Sequence, residues 1–274
     1  MSEQKFESFR DLQEPGNPLR LLNAWDAGSA RVFEAAGAPA IGTTSAGVAF
    51  ALGHPDGEDL DRDAIVAATA AIVAAVEIPV SADIESGFGE SPAEVSETVR
   101  RIAAAGAVGI NLEDKHRAGD SPLRLIADQL ERLEAARAGA DAEGATIFIN
   151  ARTDTFLAGV GPPEERLDLA RKRLREFQSV GVDGVFVPAA PLDVIEVLVA
   201  ATLLPLNVLL SPVCDDAGTL AALGVARLST GSGPYRATIG VAQQIATELL
   251  GDGTIKQMLD DATDFADVNA LFER

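Results

Sequence analysis

Eight apolar runs rich in β-branched residues recur through the chain, each followed by a stretch of helix length, and no other feature restricts the fold as strongly. The runs span 21–25, 40–45, 78–83, 108–113, 146–152, 184–188, 206–211 and 225–230. The stretches between and after them, rich in Ala, Arg and Glu, span 28–36, 61–76, 92–105, 122–138, 163–180, 191–201, 215–223 and 234–250. Ser-Pro, Pro-Pro, Ala-Pro or Gly-Pro pairs open four of them, as proline in a first helical turn does. Continuous apolar strands imply burial on both faces, hence a parallel sheet wrapped by its crossover helices. Eight such units in 274 residues predict an α/β fold, a (β/α)8 TIM barrel over residues 1–250. A doubly wound open sheet is the competing architecture. It is disfavoured because Asn23-Ala24-Trp25-Asp26, not a glycine-rich fingerprint, follows the first strand. Residues 251–274 form a C-terminal helical tail with short amphipathic segments at 254–262 and 265–272.

Charge and composition exclude several partners. Twenty-two Lys and Arg against 42 Asp and Glu leave a net charge of −20, which opposes nucleic acid and anionic membrane surfaces. No stretch approaches a membrane-spanning length, and residues 1–17 are polar and charged, unlike a signal peptide. A cytoplasmic location is expected. The single cysteine, Cys214, fits a reducing compartment and reads as a packing residue.

In such a barrel, chemistry belongs at the C-terminal ends of the strands. The second strand ends in small and hydroxylated residues, Thr43-Thr44-Ser45-Ala46-Gly47, which can bring backbone N–H groups against a carboxylate, and its loop carries Asp56. The third ends in Asp83 and Glu85, two apart and therefore on one side if the strand stays extended. Two carboxylates so placed repel unless a cation or a proton lies between them. The fourth strand brings Asn111, Glu113 and Asp114, and the fifth Asn150, Arg152 and Asp154. Any one of these acids could serve as a helix cap or solvated loop charge; acids at successive strand ends point instead to a hard divalent cation, Mg2+ with Mn2+ as substitute. Arg152 is the conspicuous cation among them and matches an anionic substrate bidentately. Metal and arginine together suit a small 2-oxo or 2-hydroxy carboxylate, in which electron withdrawal stabilises an enolate.

The strings NAWD, TTSAGVA, LGHPD, VSADIESGFG, GINLED and INARTD, in this order between Asn23 and Asp154, resemble those of the isocitrate lyase/phosphoenolpyruvate mutase superfamily. The resemblance implies a (β/α)8 barrel, Mg2+, and formation or cleavage of a C–C or C–P bond in a small 2-oxo or 2-hydroxy acid. It implies that Asp83 touches the metal directly and that Asp56, Glu85 and Glu113 hold it through water. By the same resemblance, Thr44, Ser45 and Ala46 form the substrate-carboxylate loop, Asp83 borders the substrate and Arg152 binds it.

This chain departs from both main branches. Where the lyase branch carries a Lys-Lys-Cys-Gly-His loop after strand four, it has Lys115-His116-Arg117-Ala118-Gly119, without the cysteine proton donor. The tyrosine of that branch at the end of strand two is replaced by Gly42 or Thr43, and the tryptophan position of the mutase branch reads Gly42. The loop from Lys115 to Pro122 is also short for a mutase. Lys115, one of four lysines, and His116 are the remaining candidates for proton transfer beside Glu113 and Arg152. The expected activity is a Mg2+-dependent C–C lyase or decarboxylase. The alternatives are a phosphonopyruvate-type mutase or hydrolase and a barrel that binds a 2-oxo acid without turnover. A phosphate site at Ser229-Thr230-Gly231-Ser232-Gly233 ranks below these. The tail presents Ile255, Met258, Leu259, Phe265, Val268, Leu271 and Phe272 at near-helical spacing, a stripe that needs a partner surface. Proteins that this sequence resembles exchange their last barrel helix between subunits, so a homotetramer is expected.

Overall fold

A computed structural model describes residues 2–116 and 121–273. The expectation placed on Arg117, Ala118 and Gly119 lies outside the described residues. Eight parallel strands close into a barrel in sequence order: β1 (Leu19–Ala24), β2 (Ile41–Thr43), β3 (Val80–Asp83), β4 (Gly109–Glu113), β5 (Phe148–Arg152), β6 (Gly184–Phe186), β7 (Leu206–Leu209) and β8 (Arg227–Ser229). The helices that follow them include α2 (Ala27–Ala35), α4 (Arg62–Ala75), α5 (Pro92–Ala104), α6 (Ile126–Ala142), α7 (Pro163–Gln178), α8 (Leu192–Val199), α9 (Ala217–Ala222) and α10 (Gly233–Gly251). The tail forms α11 (Lys256–Asp261) and α12 (Phe265–Ala270). Two further helices are not legible as barrel units: α1 (Ser2–Asp11) before the first strand and α3 (Ser45–Ala51) directly after the second.

Local signals set the helix starts. The side chain of Ser91 caps α5 while Glu94 reaches back to its backbone N–H, and Pro92 fills the first turn. Asp26 and Asp61 cap α2 and α4 in the same way, each accepting from an N–H three residues on.

The apolar core lies between the outer face of the sheet and the helices. Ile110 and Leu112 of β4 and Ile149 and Ala151 of β5 pack there with Val99 and Ile102 of α5, Leu133 and Ala136 of α6 and Phe177 of α7. Toward the C-terminal end the alternate residues of the same strands, Asn111 and Glu113 of β4 and Asn150 and Arg152 of β5, face inward and are polar. Side chains from non-adjacent strands meet inside the barrel: Asn150 of β5 donates to Asn207 of β7 at 3.1 Å, and Arg227 of β8 donates to Asn111 of β4 at 3.1 Å. Branched aliphatic side chains usually fill such interiors. Here a ladder of asparagines does so.

Helix α1 plugs the N-terminal end of the barrel. Phe9, fully buried, meets Phe148 edge-on at 5.6 Å between ring centroids. Gly109 permits this approach, since a Cβ there would fall 2.9 Å from the Phe9 ring and 2.8 Å from Ser81 Oγ. Burying one such phenylalanine contributes about 2–3 kcal/mol.

The eighth helix behaves differently from the others. None of the 19 residues of α10 is buried; its first turn is held by Tyr235, whose ring lies 5.4 Å from Trp25 and 5.8 Å from Phe50. On β1 the outward-facing Arg20 is exposed and Leu22 only half-buried; both border an open groove of 630 Å³ with Leu12, Pro18 and Ala38. The tail stripe is exposed as well, with Phe265 at 83% and Leu259 at 64%. Among the described residues no helix is long and apolar enough to cross a membrane.

Candidate active site

At the C-terminal end of the strands a cavity of 240 Å³ is bordered by Asn23, Thr44, Ser45, Ala46, Asp56, Asp83, Asn111 and Arg152. Leu157, Phe186, Pro188 and Leu209 add apolar lining to the same space, Phe186 on the strand next to Arg152. Six of the expected site residues therefore line one space: Thr44, Ser45, Ala46, Asp56, Asp83 and Arg152.

Asp83 ends β3 and is fixed from two directions. Its backbone N–H donates to Thr43 Oγ1 at 2.8 Å, and its Oδ2 accepts from Ser45 Oγ at 2.8 Å and Ser45 N–H at 3.2 Å. Its Oδ1 is buried without a hydrogen-bond partner among the described residues. A buried carboxylate oxygen left unmatched is costly unless something binds it. Both Ser45 donors of the Thr44-Ser45-Ala46 loop are thus engaged with Asp83, the Thr44 N–H donates to the Ala24 carbonyl at 3.0 Å, and Thr44 is itself the cap of α3, accepting from Gly47.

Glu85 does not share the face of Asp83 by strand alternation. The strand stops at Asp83, Ile84 turns into the core, and Glu85 takes a left-handed backbone, φ 47°. The turn is braced from outside: Glu58 accepts from Ser86 N–H at 2.9 Å and Phe88 N–H at 3.1 Å, and Arg132 donates to the carbonyls of Ser86, Gly89 and Glu90. Strain of this kind persists only where the surroundings over-determine it. Glu85 still answers to Asp83 electrostatically. Burial, then Asp83, Asp56 and Glu58, push its carboxyl up to about 8, so without a cation it holds a proton at neutral pH.

Glu113 and Arg152 end neighbouring strands in register and form a buried ion pair, Nη1 to Oε2, at 2.9 Å. Burial, against the pull of Arg152 and reinforced by Asp154, Asp83 and Glu85, pushes the Glu113 carboxyl well above its usual range. Burial opposes the Arg152 cation, but Glu113 and Asp154 more than offset it. Asp154 takes Nε at 2.6 Å and Nη2 at 3.0 Å, and the guanidinium rests 5.6 Å from the Phe186 ring. Asp154 is in turn set by Asp114, which accepts its backbone N–H at 2.9 Å and pairs with Arg173 of α7 at 2.9 Å. Burial raises Asp114 to about 6 against the pull of Arg173.

The remaining candidates, Lys115 and His116, do not border the cavity. Lys115 Nζ approaches Gly57, and its charge acts on Glu85. His116 contributes a little, after Arg124, to lowering the Glu90 pKa. Among the described residues no three acids, histidines or cysteines converge as direct ligands of one cation. A cation here would therefore be held directly by at most two of these side chains and reach the others through water, as Mg2+ commonly does.

Several site residues escaped the sequence reading. Asn23 accepts Thr230 N–H and Gly231 N–H, each at 2.9 Å, and donates to the Thr43 carbonyl at 2.8 Å. It thereby occupies two of the N–H groups that a phosphate after β8 would draw on. Asn23 also fills the space beside Gly42, where a Cβ would come 2.6 Å from its Nδ2. The tyrosine or tryptophan of the related branches has no room at that position. Phe186 and Leu209 were missed because apolar residues in apolar strands carry no individual signal.

Fold and site together define a (β/α)8 barrel with an acid-lined cavity at the C-terminal end of its strands, the architecture of a small-molecule enzyme. Residues 9–250 match the phosphoenolpyruvate phosphomutase family, and the chain belongs to it, within the isocitrate lyase/phosphoenolpyruvate mutase superfamily. An uncharacterised protein of Mycobacterium tuberculosis is 36% identical over 264 residues, 96% of this chain and 95% of the relative. The 2-methylisocitrate lyase of Salmonella typhimurium is 29% identical, with 93% of this chain and 88% of that enzyme covered. A solved structure from Burkholderia cenocepacia, of provisional lyase/mutase assignment, superposes with a TM-score of 0.91 at 37% identity, covering 100% of this chain and 97% of the other.

Proposed function

We propose that this chain is a Mg2+-dependent enzyme that cleaves a carbon–carbon bond of, or decarboxylates, a small 2-oxo or 2-hydroxy (di)carboxylate by way of an enolate. The observation that carries this is the pairing of an unmatched buried oxygen, Asp83 Oδ1, with a cation, Arg152, on the walls of one small cavity. Asp83 would hold the metal directly, with Asp56, Glu85 and Glu113 behind water. When bound, Mg2+ supplies a hard Lewis acid that offsets negative charge on the 2-oxo and carboxylate oxygens. A phosphonopyruvate hydrolase of the same fold, 24% identical, was solved with oxalate and Mg2+; that this chain takes similar ligands is part of the proposal.

The chain's own residues orient the substrate. Arg152, pre-set by Glu113 and Asp154, receives a carboxylate, and the apolar lining of Leu157, Phe186, Pro188 and Leu209 meets the substituent on C3. That lining favours a carbon substituent over a phosphonate. A phosphonate dianion calls for several cations, and Arg152 is the one cation among the described residues bordering the cavity. Lys115, whose charge acts on Glu85, is the proposed proton carrier. The open groove over β1 and the unburied α10 support assembly into a homotetramer, with α10 of one copy covering β1 of another.

The test is product detection across 2-oxo and 2-hydroxy acids, with Mg2+ and again after EDTA. EDTA-sensitive release of pyruvate, glyoxylate or CO2 is expected. Phosphate release from phosphonopyruvate without any carbon–carbon cleavage would reverse the choice of reaction.

A further inference from the structure

A buried cation stands beneath the floor of the cavity. Arg227 opens β8, points into the barrel and is 1% exposed. Its Nη2 donates to Asn111 Oδ1 at 3.1 Å, and its guanidinium lies 5.7 Å from the centroid of Phe9. Neither its Nε nor its Nη1 has a hydrogen-bond partner among the described residues. Burial pushes the guanidinium down to about 9, Asp83 opposes this, and the group remains a cation at neutral pH.

Nothing in the packing calls for a charge at this position. A buried cation without a paired carboxylate costs free energy that a methionine or leucine of similar volume would not, and barrel interiors are ordinarily filled by such side chains. The cost is incurred next to the site. Asn111, which receives Arg227, also receives Asn150 Nδ2 at 2.9 Å, borders the cavity and pairs in register with Asp83. The Arg227 charge is therefore one side chain below the cavity wall, held by a ladder that continues from Asn150 to Asn207 and on to Ser229, itself on the cavity wall.

We propose that Arg227 is an electrostatic positioning residue: its fixed charge beneath Asn111 and Asp83 strengthens binding of an anionic carboxylate and weakens binding of a divalent cation alone. The consequence is that cation and carboxylate are retained together, and that a cation without substrate leaves readily. This rests on the reading that both ligands share the cavity above Asp83.

Arg227→Gln keeps a polar group near Asn111 and removes the charge; Arg227→Lys keeps the charge. Mn2+ binding to the free protein, followed by electron paramagnetic resonance, and oxalate binding at saturating Mg2+, followed by calorimetry, read the two effects separately. A unit charge acting over several ångströms through a protein interior is worth about tenfold in affinity. Arg227→Gln is expected to bind Mn2+ about tenfold more tightly and oxalate about tenfold more weakly, with Arg227→Lys within about threefold of the parent for both. Opposite movement is the signature, because loss of a merely structural side chain lowers both affinities. Parallel changes in the glutamine variant, or no change, overturn the proposal. So does failure of the glutamine variant, or of both variants, to fold, which would assign the charge to the barrel core. Parent protein that binds neither Mn2+ nor oxalate defeats the shared-cavity reading itself, an outcome visible before any variant is made.

Discussion

Arg152 and Asp154, two residues apart at the end of β5, are joined at two points, Nε to Oδ1 at 2.6 Å and Nη2 to Oδ2 at 3.0 Å. Nη1 stands 2.9 Å from Glu113 as an ion pair, so two of the five guanidinium N–H groups are hydrogen-bonded to Asp154. Donors on Nη1 and Nη2 remain. On the proposed reading they receive a substrate carboxylate, and an arginine held in place beforehand lowers the cost of binding.

Arg152→Lys is expected to lose about 100-fold or more in kcat/KM on whichever acid the product screen identifies, although the charge is retained. Lysine reproduces neither the fork to Asp154 nor the planar donors that remain on the guanidinium. Steady-state kinetics equal to those of the parent would refute a bidentate role.

Asp83→Ala should abolish divalent-cation binding while leaving the barrel folded. Calorimetric titration with Mg2+ and circular dichroism together check this; an unchanged affinity would remove Asp83 as the metal's direct ligand. Glu85→Gln should reduce affinity less, since a contact through water is partly replaced by an amide oxygen.

Asp114→Ala leaves the Arg173 guanidinium buried and unpaired, Arg173 being 6% exposed. A loss of about 3–5 kcal/mol in unfolding free energy is expected, since removing one partner of a buried pair strands the other charge. Adding Arg173→Met should recover part of it, and denaturant unfolding of the single and double variants gives the coupling. Additive losses would show that the two side chains do not act as a pair.

The exposed α10 and the groove over β1 predict a mass of several subunits by light scattering at micromolar concentration. A monomer would defeat the assembly proposal. Truncation after Gly251 distinguishes the roles of helix and tail: a tetramer that survives it is held by α10, and one that dissociates depends on the stripe that includes Leu259 and Phe265.

Much of the candidate site is legible in the sequence because strand ends in a barrel converge on one rim. Thr44, Ser45, Asp56, Asp83 and Arg152 needed only the strand count and the placement of polar residues at the apolar runs' ends to be grouped. Glu85 shows where local reasoning fails. Alternation along an extended chain puts it beside Asp83, but Ile84 is drawn into the core and φ at Glu85 becomes positive. That turn is held by Glu58 and Arg132, 27 residues before and 47 after Glu85, and sequence neighbours of Glu85 do not reveal them. His116, plausible by position, does not border the cavity; its backbone N–H donates to the Pro122 carbonyl at 2.9 Å.

The sequence by itself determined the eightfold alternation, the ends of the strands and the acids placed there, because each depends on hydrophobic period and on capping, which act within a few residues. Which face of each strand turns inward was decided only by closure. Runs 108–113 and 146–152 alternate apolar and polar residues toward their ends, and in the closed barrel Ile110, Leu112, Ile149 and Ala151 face the helices while Asn111 and Asn150 face the axis. The reason is physical: helices on the outside offer apolar surface and no hydrogen-bond partners, whereas a closed barrel brings the polar side chains of β4, β5, β7 and β8 within reach of one another. Arg227 can be buried in an apolar-looking strand for that reason alone. Its position beneath Asp83 exists only because residues 116 apart, Asn111 and Arg227, meet across the barrel.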